Sequence, residues 1–468
     1  MLKMALINKN VERIVSKNPA KGYQIIGKVK ISSQKEIEHK TDLSNKAKVY
    51  WKELGVKKRV ELIKPLLYEF TSKKEEMICL ISREIGKPLW ESKAEVEVFL
   101  NQFNWFLENI ENSIKEEITY EDNNSIHKIV YEPKGSVAVI TPWNFPFGMA
   151  VLGIIPNLLV GNTVIFKISE ECPLVGKLIE KVIENQKLPK GVFSEIYGNE
   201  EIGKKLVHGK IDFIHFIGSS EVGQKLYQLA SKKFISVVLE LGGSNSCILF
   251  NDIDVKKIVP LLYSGRYRNC GQNCDSIKRL IVHKSIFNEV VEGLYKLIKI
   301  KKIGDPFNKE IDLGSLASRK QLKLIESQVK DALKKGAKEL IGGQEIGKLN
   351  GAFYKPRILI NIQRNMKIWK KEVFGPVLPL MKFDSEEEAI DLANDSPYGL
   401  GAKIFSNNVA KAKKIASKLD VGNVEINGGN RWIPCNPYGG YKRSGIGKQY
   451  GQLGFKELCQ IKIISIKK

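Results

Sequence analysis

Two short segments, each built around one reactive side chain, carry the clearest chemical signal in the sequence. Residues 271–274 (GQNC) hold a thiol, and residues 240–243 (ELGG), earlier in the chain, hold a carboxylate. A thiolate attacks a carbonyl carbon well, and a carboxylate can then activate water against the resulting thioester. Either segment alone is weak, because glycine-flanked Glu and Cys are common in tight turns. Together they suggest a nucleophile, Cys274, and a general base, Glu240.

Two further segments strengthen this pairing. Residues 141–146 (TPWNFP) lie upstream of it and residues 372–376 (EVFGP) lie downstream. A lone cysteine is usually a buried, inert side chain, but the glycine-rich loop and the adjacent Cys270 favour an exposed Cys274. Glu240 follows an apolar stretch and precedes two glycines, so we expect a poorly solvated carboxyl with a raised pKa, which suits a general base.

The elements around these segments alternate between short β-branched runs and longer helical patterns. Residues from about 34 to 112 have the periodicity of helices. From Ser136 onward, strands are predicted near 137–140, 163–166, 213–216 and 237–239, and helices near 148–160, 173–186, 221–231, 255–263, 285–297 and 321–335. Strands that alternate with helices of this length pair in parallel through right-handed crossovers, so we expect a doubly wound α/β sheet.

One strand-to-helix junction has the features of a diphosphate cradle. Gly218 and Ser219 end the strand near 213–216 and open the next helix. A glycine at a strand end followed by a helix N-terminus suits a diphosphate. An ordinary strand-to-helix turn has the same appearance, so this pattern alone leaves both interpretations open.

Length and composition exclude several classes of protein. The 468 residues exceed one ordinary core, so two or three domains are expected. A hydrophobic content of 43% and a charged content of 27% are typical of a soluble globular protein. The longest apolar runs are too short to span a bilayer, and no secretory signal is seen at the start. We therefore expect no membrane partner.

Cysteine and histidine usage indicates the compartment and the metal content. Seven scattered cysteines without a CxxC pair favour free thiols in a reducing, cytoplasmic environment. The five histidines show no ligand spacing, so no metal site is expected.

The net charge of +23 raises the question of a nucleic-acid partner. A nucleic-acid patch is expected to be clustered, rich in arginine and interleaved with aromatic residues. Here the positive charge is mostly lysine, spread along the chain and mixed with glutamate, as in residues 73–76 (KKEE). This distribution favours a solvated surface over a nucleic-acid site.

With these segments in order, the chain resembles the aldehyde dehydrogenase superfamily along nearly its whole length. Residues 18–20 (NPA), 86–88 (GKP) and 437–445 (PYGGYKRSG) also match that family's motifs. Residues 239–244, 265–267 and 454–459 make the succinate-semialdehyde dehydrogenases the branch that it resembles most.

The resemblance implies an α/β fold with a Rossmann-type cofactor domain, an α/β catalytic domain and a small β oligomerisation arm. The expected bounds are 1–116 and 135–243 for the dinucleotide-binding domain, 244–443 for the catalytic domain, and 117–134 with 444–468 for the arm. A homodimer or homotetramer is implied. Both arm segments are β-prone, and pairing with a neighbouring subunit's sheet or within one chain suits the pattern equally well.

The resemblance also implies an activity, the NAD(P)-dependent oxidation of an aldehyde to a carboxylic acid. Cys274 adds to the aldehyde, and the side-chain amide of Asn144 with the backbone N–H of Cys274 stabilises the oxyanion. A nicotinamide cofactor accepts the hydride. Glu240 then directs water at the thioester. A relative that transfers the acyl group to coenzyme A does not need this base, so Glu240 favours a free acid as product.

Cofactor-binding positions follow from the same resemblance. They are Trp143, Lys167, Ser169, Glu170, Gly218, Ser219, Leu241, Glu372 and Phe374. The carboxylate of Glu170 suits ribose hydroxyls and repels a 2′-phosphate. NAD is therefore expected, and NADP is the alternative.

The chain departs from the family pattern beside the nucleophile and in the preceding helix. Most members carry a lysine where this chain has Gly153. Asp275 follows Cys274 directly, and its charge opposes thiolate formation if the carboxylate points inward. We expect it to point away and cap the next turn.

The third departure concerns the substrate. Arg268, six positions before the nucleophile, keeps one arginine of the semialdehyde dehydrogenases, whereas Leu152 replaces the other. The serine of the C-terminal loop is lost near Trp432 and Ile433, where Arg431 could substitute. We expect a small aldehyde with an anionic or polar end, succinate semialdehyde first. The alternatives are lactaldehyde, glyceraldehyde or aminobutyraldehyde, or a non-catalytic binding protein with this fold.

Overall fold

The computed structural model describes residues 12–347, 349–430 and 433–468. The helices, in chain order, are α1 (Gln34–Glu53), α2 (Gly55–Ser72), α3 (Lys74–Ile85), α4 (Leu89–Ser113), α5 (Pro146–Val160), α6 (Pro173–Asn185), α7 (Glu200–His208), α8 (Ser220–Lys232), α9 (Val255–Tyr267), α10 (Phe287–Lys299), α11 (Arg319–Lys334), α12 (Lys367–Lys370), α13 (Glu386–Asn394), α14 (Val409–Ala416) and α15 (Gly451–Glu457), with a 3₁₀ turn at Arg268–Gly271.

The strands, in chain order, are β1 (Arg13–Asn18), β2 (Gln24–Lys30), β3 (Glu117–Glu121), β4 (Ser125–Pro133), β5 (Ser136–Ile140), β6 (Thr163–Lys167), β7 (Phe193–Ile196), β8 (Phe213–Ile217), β9 (Ser236–Glu240), β10 (Asn245–Leu249), β11 (Ile277–His283), β12 (Lys338–Ile341), β13 (Arg357–Ile360), β14 (Val377–Phe383), β15 (Tyr398–Gly399), β16 (Gly401–Phe405), β17 (Asn423–Ile426), β18 (Tyr441–Lys442), β19 (Gly445–Ile446) and β20 (Cys459–Lys467). The predicted helices at 34–112 and the predicted strand–helix alternation from residue 136 are confirmed.

The first large sheet has six strands in the order β19-β9-β8-β5-β6-β7. Its strands from β5 to β9 pair in parallel, and β5, β6 and β8 are buried throughout, as in a sheet covered by helices on both faces. The strand order changes direction between β5 and β8. In open α/β sheets, ligands bind beyond the carboxyl ends of strands at such a switch point.

The second large sheet has seven strands in the order β12-β13-β14-β11-β10-β16-β17, and only β12 runs antiparallel to its neighbour. The chain passes from β9 of the first sheet to β10 of the second through residues 241–244. The two α/β halves are therefore joined directly after Glu240, and this crossing positions the site.

The helices before the first sheet cover the crossover helix α5. Except for Met149, every residue of α5 is buried, so this helix needs apolar neighbours on all sides. α4 supplies an apolar stripe that includes Val96, Phe99 and Phe103. This packing fixes the loop that leads from β5 into α5.

A small third sheet has the order β20-β4-β3. β20 pairs antiparallel with β4 from Cys459 opposite Pro133 to Lys467 opposite Ser125. The two β-prone segments therefore pair with each other inside one chain. Within the range 444–468 assigned to the arm, however, β19 pairs with β9 and α15 packs on α4, so only β20 joins this sheet.

Among the residues that the structure describes, no helix combines the length and the apolar character needed to cross a lipid bilayer.

Candidate active site

A cavity of about 1660 Å³ brings the separated sequence segments together. It is lined by thirteen of the fourteen predicted site residues, namely Trp143, Asn144, Lys167, Ser169, Glu170, Gly218, Ser219, Glu240, Leu241, Arg268, Cys274, Glu372 and Phe374. The fourteenth, Arg431, lies outside the described residues. The roles assigned to these residues stay predictions, but they now share one site.

Close backbone packing explains why three of the segments meet. β10 and β11 pair in parallel with Asn245 opposite Ile277, so the loops that precede them lie side by side. A Cβ atom on Gly243 would lie 3.0 Å from the carbonyl oxygen of Cys274, and one on Gly242 would lie 2.3 Å from Oε2 of Glu372. The two glycines therefore allow residues 240–243 to lie close to Cys274 and to the side chain of Glu372.

Glu240 is the last residue of β9 and is buried. Burial raises the pKa of its carboxyl well above the usual value, and the charge of Lys448 opposes the shift only in part. Within the described part of the chain, its Oε1 atom meets no hydrogen-bond partner. A Cβ atom on Gly439 would lie 3.0 Å from this oxygen, so that glycine leaves room above the carboxyl. The expected desolvation of Glu240 is confirmed.

Cys274 lies in the loop between the 3₁₀ turn and β11 and is partly exposed. The turn before it contains three consecutive residues in the left-handed region, Asn269 (φ 50°), Cys270 (φ 53°) and Gly271 (φ 71°). Strained backbone of this kind is common at functional sites. Cys270 itself is buried in the core of the second half. The presence of Cys270 nearby in the sequence therefore does not indicate that Cys274 is exposed, because the turn places the two side chains in different surroundings.

Asn144 lies in the loop between β5 and α5 and faces the nucleophile loop. Its side-chain amide donates a hydrogen bond to the Gln272 carbonyl oxygen at 3.3 Å. Because an amide group has two N–H bonds, one remains for an oxyanion. The backbone carbonyl oxygen of Asn144 accepts from Asn269 Nδ2 at 2.9 Å and from Lys87 Nζ at 2.7 Å. Asn144, the residue predicted to stabilise the oxyanion, is therefore fixed through both its side chain and its backbone.

The loop of Asn144 is anchored by a buried ion pair that the sequence did not reveal. Lys87 Nζ lies 2.6 Å from Glu95 Oε2, and both side chains are fully buried. The other carboxyl oxygen of Glu95 accepts from the backbone N–H groups of Phe147 and Gly148, in the first turn of α5. Residues 86–88 were noticed only as a family match, although a lysine between glycine and proline before a helix was a usable signal.

A second carboxylate, Glu91, binds the turn that precedes Cys274. Both of its oxygens accept from the backbone N–H of Asn269 at 2.9 Å. Burial raises the pKa of Glu91 to about 7, and the N–H donor and the nearby charge of Lys87 oppose that rise. No sequence signal separated Glu91 from an ordinary helix-surface glutamate.

The two departures next to the catalytic residues now have structural explanations. Asp275 is buried, and its Oδ1 atom accepts from Asn245 Nδ2 at 3.2 Å. The carboxylate therefore contacts a side chain at the start of β10, and the expected cap of the next turn stays a prediction. A Cβ atom on Gly153 would lie 2.4 Å from Cγ1 of Val139. The close approach of α5 to β5 therefore leaves no space for the lysine found in most relatives.

The opposite end of the cavity has the features of a dinucleotide site. Ser219 caps α8 by accepting from the Val222 N–H at 3.3 Å, which leaves the first N–H groups of the helix facing the cavity. Lys167 ends β6, and its Nζ atom lies 3.9 Å from Glu170 Oε2. Burial lowers the pKa of Lys167. Helix N-terminus, cation and carboxylate together suit a diphosphate and a ribose diol.

The middle of the cavity has an aromatic wall. The rings of Trp143 and Phe374 meet edge to face, with centroids 5.6 Å apart and an interplanar angle of 86°. A flat heteroaromatic ring fits against such a surface.

Charged groups line the presumed substrate end. Arg268 is exposed at the cavity surface, and Leu152 is buried in the helix below. Lys403 and Glu425, from neighbouring strands β16 and β17, form an ion pair and also line the cavity. Arg268 is therefore an exposed cation of this cavity that is placed to meet an anionic group, whereas Asp275 and Glu425 already contact Asn245 and Lys403.

Comparisons with known proteins agree with this geometry. The family model described as the aldehyde dehydrogenase family matches residues 6–464. A probable succinate-semialdehyde dehydrogenase (NADP(+)) of Sinorhizobium fredii is 30% identical over 452 residues, which are 96% of this chain and 92% of that protein. A peroxisomal aminoaldehyde dehydrogenase of Pisum sativum is 33% identical over 474 residues, 99% of this chain and 93% of that protein.

Solved structures give the same result. The crystal structure of a betaine aldehyde dehydrogenase of Staphylococcus aureus, in complex with NAD⁺, superposes with a TM-score of 0.92 at 31% identity. The match covers 98% of this chain and 92% of that one.

Proposed function

This chain belongs to the aldehyde dehydrogenase family and is an aldehyde-oxidising oxidoreductase, and from that premise we propose that it converts a small aldehyde to the free carboxylic acid through a thioester on Cys274. The observation that carries the proposal is the single cavity that holds the thiol of Cys274, the amide of Asn144 and the poorly solvated carboxyl of Glu240.

The residues of this chain divide the reaction between them. Cys274 adds to the aldehyde carbon, and the oxyanion that forms is stabilised by the Asn144 amide and the Cys274 backbone N–H. A bound nicotinamide cofactor would supply the hydride acceptor. Glu240 then takes a proton from water as that water attacks the thioester. Its raised pKa makes the carboxylate a stronger base than a solvated glutamate.

We propose NAD as the cofactor, although the Sinorhizobium fredii relative is named for NADP(+). Glu170 lines the cavity where an adenine ribose would lie beside Lys167. The nearby lysines are already paired, Lys204 with two glutamates of α7 and Lys225 with glutamates of α7 and α8. Neither is therefore a strong site for a 2′-phosphate. A higher kcat/KM with NADP than with NAD would contradict this choice.

For the substrate we propose succinate semialdehyde, held through its carboxylate by Arg268. A second candidate is an amino aldehyde, because Asp275 and Glu425 also line the cavity; it ranks below the first, since Glu425 is paired with Lys403 and Asp275 accepts from Asn245. The pea relative named as an aminoaldehyde dehydrogenase makes this candidate worth a direct comparison.

The test is a panel of kcat/KM values for succinate semialdehyde, 4-aminobutanal and butanal, followed by NADH absorbance. Replacing Arg268 by Ala should raise KM for succinate semialdehyde about 10- to 150-fold, since a hydrogen bond to a charged group contributes roughly 1.5–3 kcal/mol. KM for butanal, which has no distal charge, should stay within about twofold.

The substitution Glu425→Gln is the matched arm for the second candidate. It should weaken only 4-aminobutanal if that aldehyde is the substrate. Equal effects of Arg268→Ala on succinate semialdehyde and butanal would remove the proposed anchor.

We also propose a homodimer or homotetramer assembled through the third sheet. On β20, the side chains of Ile461, Ile463 and Ile466 are 63%, 58% and 43% exposed. Exposed apolar residues on an edge strand are commonly covered by a second subunit. Sedimentation of the protein with Ile461 and Ile463 both changed to Lys should give a smaller particle than that of the unchanged chain.

A further inference from the structure

A buried lysine that belongs to none of the recognised motifs lies at the junction of three of them. Lys278, the second residue of β11, is fully buried. Its ammonium group donates to the carbonyl oxygen of Gly243 at 2.8 Å and to that of Cys274 at 3.0 Å, and it forms an ion pair with Glu372. One cation therefore contacts the base loop, the nucleophile loop and the predicted cofactor carboxylate.

The strand is irregular at this residue. Asn245 of β10 pairs with Ile277, but Ser246 pairs with Arg279, so Lys278 is an extra residue in the β11 ladder. Extra residues of this kind redirect a side chain and are frequent next to active sites. The irregularity therefore turns the ammonium group of Lys278 toward the carbonyl oxygens of Gly243 and Cys274 rather than into the apolar layer of the sheet.

The next residue is a natural comparison. Arg279 is also a buried cation, and it donates to the carbonyl oxygens of Ser244, Leu392 and Ala393 at 2.7–3.0 Å. The acceptors of its side chain are all backbone carbonyls, and within the described residues it forms no ion pair with a carboxylate of the site. Arg279 therefore binds backbone carbonyls, whereas Lys278 links Gly243, Cys274 and Glu372.

We propose that Lys278 is a positioning residue that holds Glu372 and the Cys274 loop in register and, through its charge, favours the thiolate of Cys274. The proposal rests on the proposed function, because it takes Cys274 as the nucleophile. A lysine ammonium next to a cysteine stabilises the thiolate, which is the reactive form. The lysine that most relatives carry at the position of Gly153 is absent here, whereas Lys278 is a buried lysine that contacts the backbone of Cys274.

Several charges act on Lys278 and decide how the test is read. Burial lowers the pKa of Lys278, Glu372 and Cys274 oppose that shift, and the neighbouring guanidinium of Arg266 adds to it. The cation persists because Glu372, which also accepts from the Gly243 N–H at 3.2 Å, stays beside it. A change at Lys278 therefore alters both the charge near the thiol of Cys274 and the position of the Glu372 side chain.

The experiment measures the rate at which iodoacetamide alkylates Cys274 in the cofactor-free enzyme between pH 5 and 10. Mass spectrometry of the peptide that contains Cys274 separates this thiol from the exposed Cys435. Lys278→Met should move the midpoint of the rate upward by about one pH unit, the effect of removing an opposite charge at short range. Lys278→Gln, which keeps a donor for the two carbonyls and protects against a folding failure, should give the same shift.

Arg279→Lys is the matched control, because it alters a buried cation one residue away and should leave the midpoint where it is. An unchanged midpoint in a folded Lys278→Gln enzyme would overturn the electrostatic role. A shift of equal size in Arg279→Lys would overturn it as well, since the effect would then be a general loosening. Neither result depends on turnover, so wild-type inactivity toward aldehydes would count against the proposed function alone.

Discussion

Two buried glutamates of the first α/β half both have a raised pKa, but their surroundings are very different. Glu240 ends β9 and Glu195 lies in β7 at the sheet edge, and burial raises the pKa of both carboxyls well above the usual value. Among the described residues, Oε1 of Glu240 and both oxygens of Glu195 meet no hydrogen-bond partner. The hydroxyl of Tyr197, beside Glu195, donates instead to Glu180 at 3.0 Å.

The difference between the two is open space and a reactive neighbour. Glu240 lines the cavity together with Cys274, whereas Glu195 does not line it and is packed against the backbone of Gly176. A raised pKa therefore reports burial and does not by itself identify a catalytic group. Function requires in addition that substrate or water can reach the carboxyl.

The largest expected effect separates the two glutamates by activity. Glu240→Gln should lower kcat for aldehyde oxidation about 10²- to 10⁴-fold, the usual contribution of a general base. Acylation should still occur, so stopped-flow absorbance should record a burst close to one NADH per site. Glu195→Gln should leave kcat within about twofold. A normal steady-state rate in Glu240→Gln would end the comparison, because neither carboxyl would then be catalytic.

The pH dependence of kcat sharpens the comparison further. Glu240 acts only when it is deprotonated, and its pKa is raised, so the protonated, inactive form extends to higher pH than for a solvated glutamate. Below the midpoint, kcat should fall about tenfold per pH unit as pH decreases. The limb should be the same in Glu195→Gln, and an acid limb that disappears in that variant would reverse the assignment.

Glu84 is a third buried carboxylate, and it tests whether hydrogen bonding decides the stability effect. It accepts from Ser16 Oγ at 2.5 Å and from the N–H groups of Leu174 and Val175 at 2.9 Å. Burial raises the pKa of Glu84 to about 7, and these donors oppose the rise. Glu84→Ala should lower the free energy of unfolding by about 1–3 kcal/mol, because it leaves buried donors unsatisfied. Urea denaturation measures this directly.

The smallest expected effect is a gain in stability. Burial raises the pKa of Glu195 above its ordinary value of 4.5, so between pH 4.5 and the raised pKa unfolding releases a proton and the wild type loses stability as pH rises. Glu195→Gln cannot ionise and escapes this loss. Its advantage in the free energy of unfolding should be near zero around pH 4.5 and reach on the order of 1 kcal/mol at neutral pH. An advantage that shrinks as pH rises would contradict the raised pKa.

Much of the fold could be predicted from the sequence because its signals are local. The strand at 136–140 and the helix after it are visible in the periodicity of a few residues, and Glu240 is visible from its apolar and glycine neighbours. The order of strands in each sheet was not predictable, since the pairing of β5 with β8 joins residues far apart in the chain.

Site residues could be predicted where the residue type itself indicates the chemistry. They could not be predicted where only contacts in the folded protein indicate it. Cys274 and Asn144 are recognisable in their segments. Lys87 lies in the recognisable segment 86–88, but Lys278 belongs to no recognised segment, and a lysine is almost always a surface residue unless it is paired. The contact of Asp275 with Asn245 was hidden for a similar reason, since the two residues are distant in sequence.

The passage of the chain between the two large sheets at residues 241–244 has a consequence for how the protein is made. Residues 240 and 274 belong to different halves and line one cavity only when both halves are folded together. If Cys274 is the nucleophile proposed above, its selective labelling will therefore report completed folding, and it will appear late in synthesis, after the strand that follows Glu372 has been added.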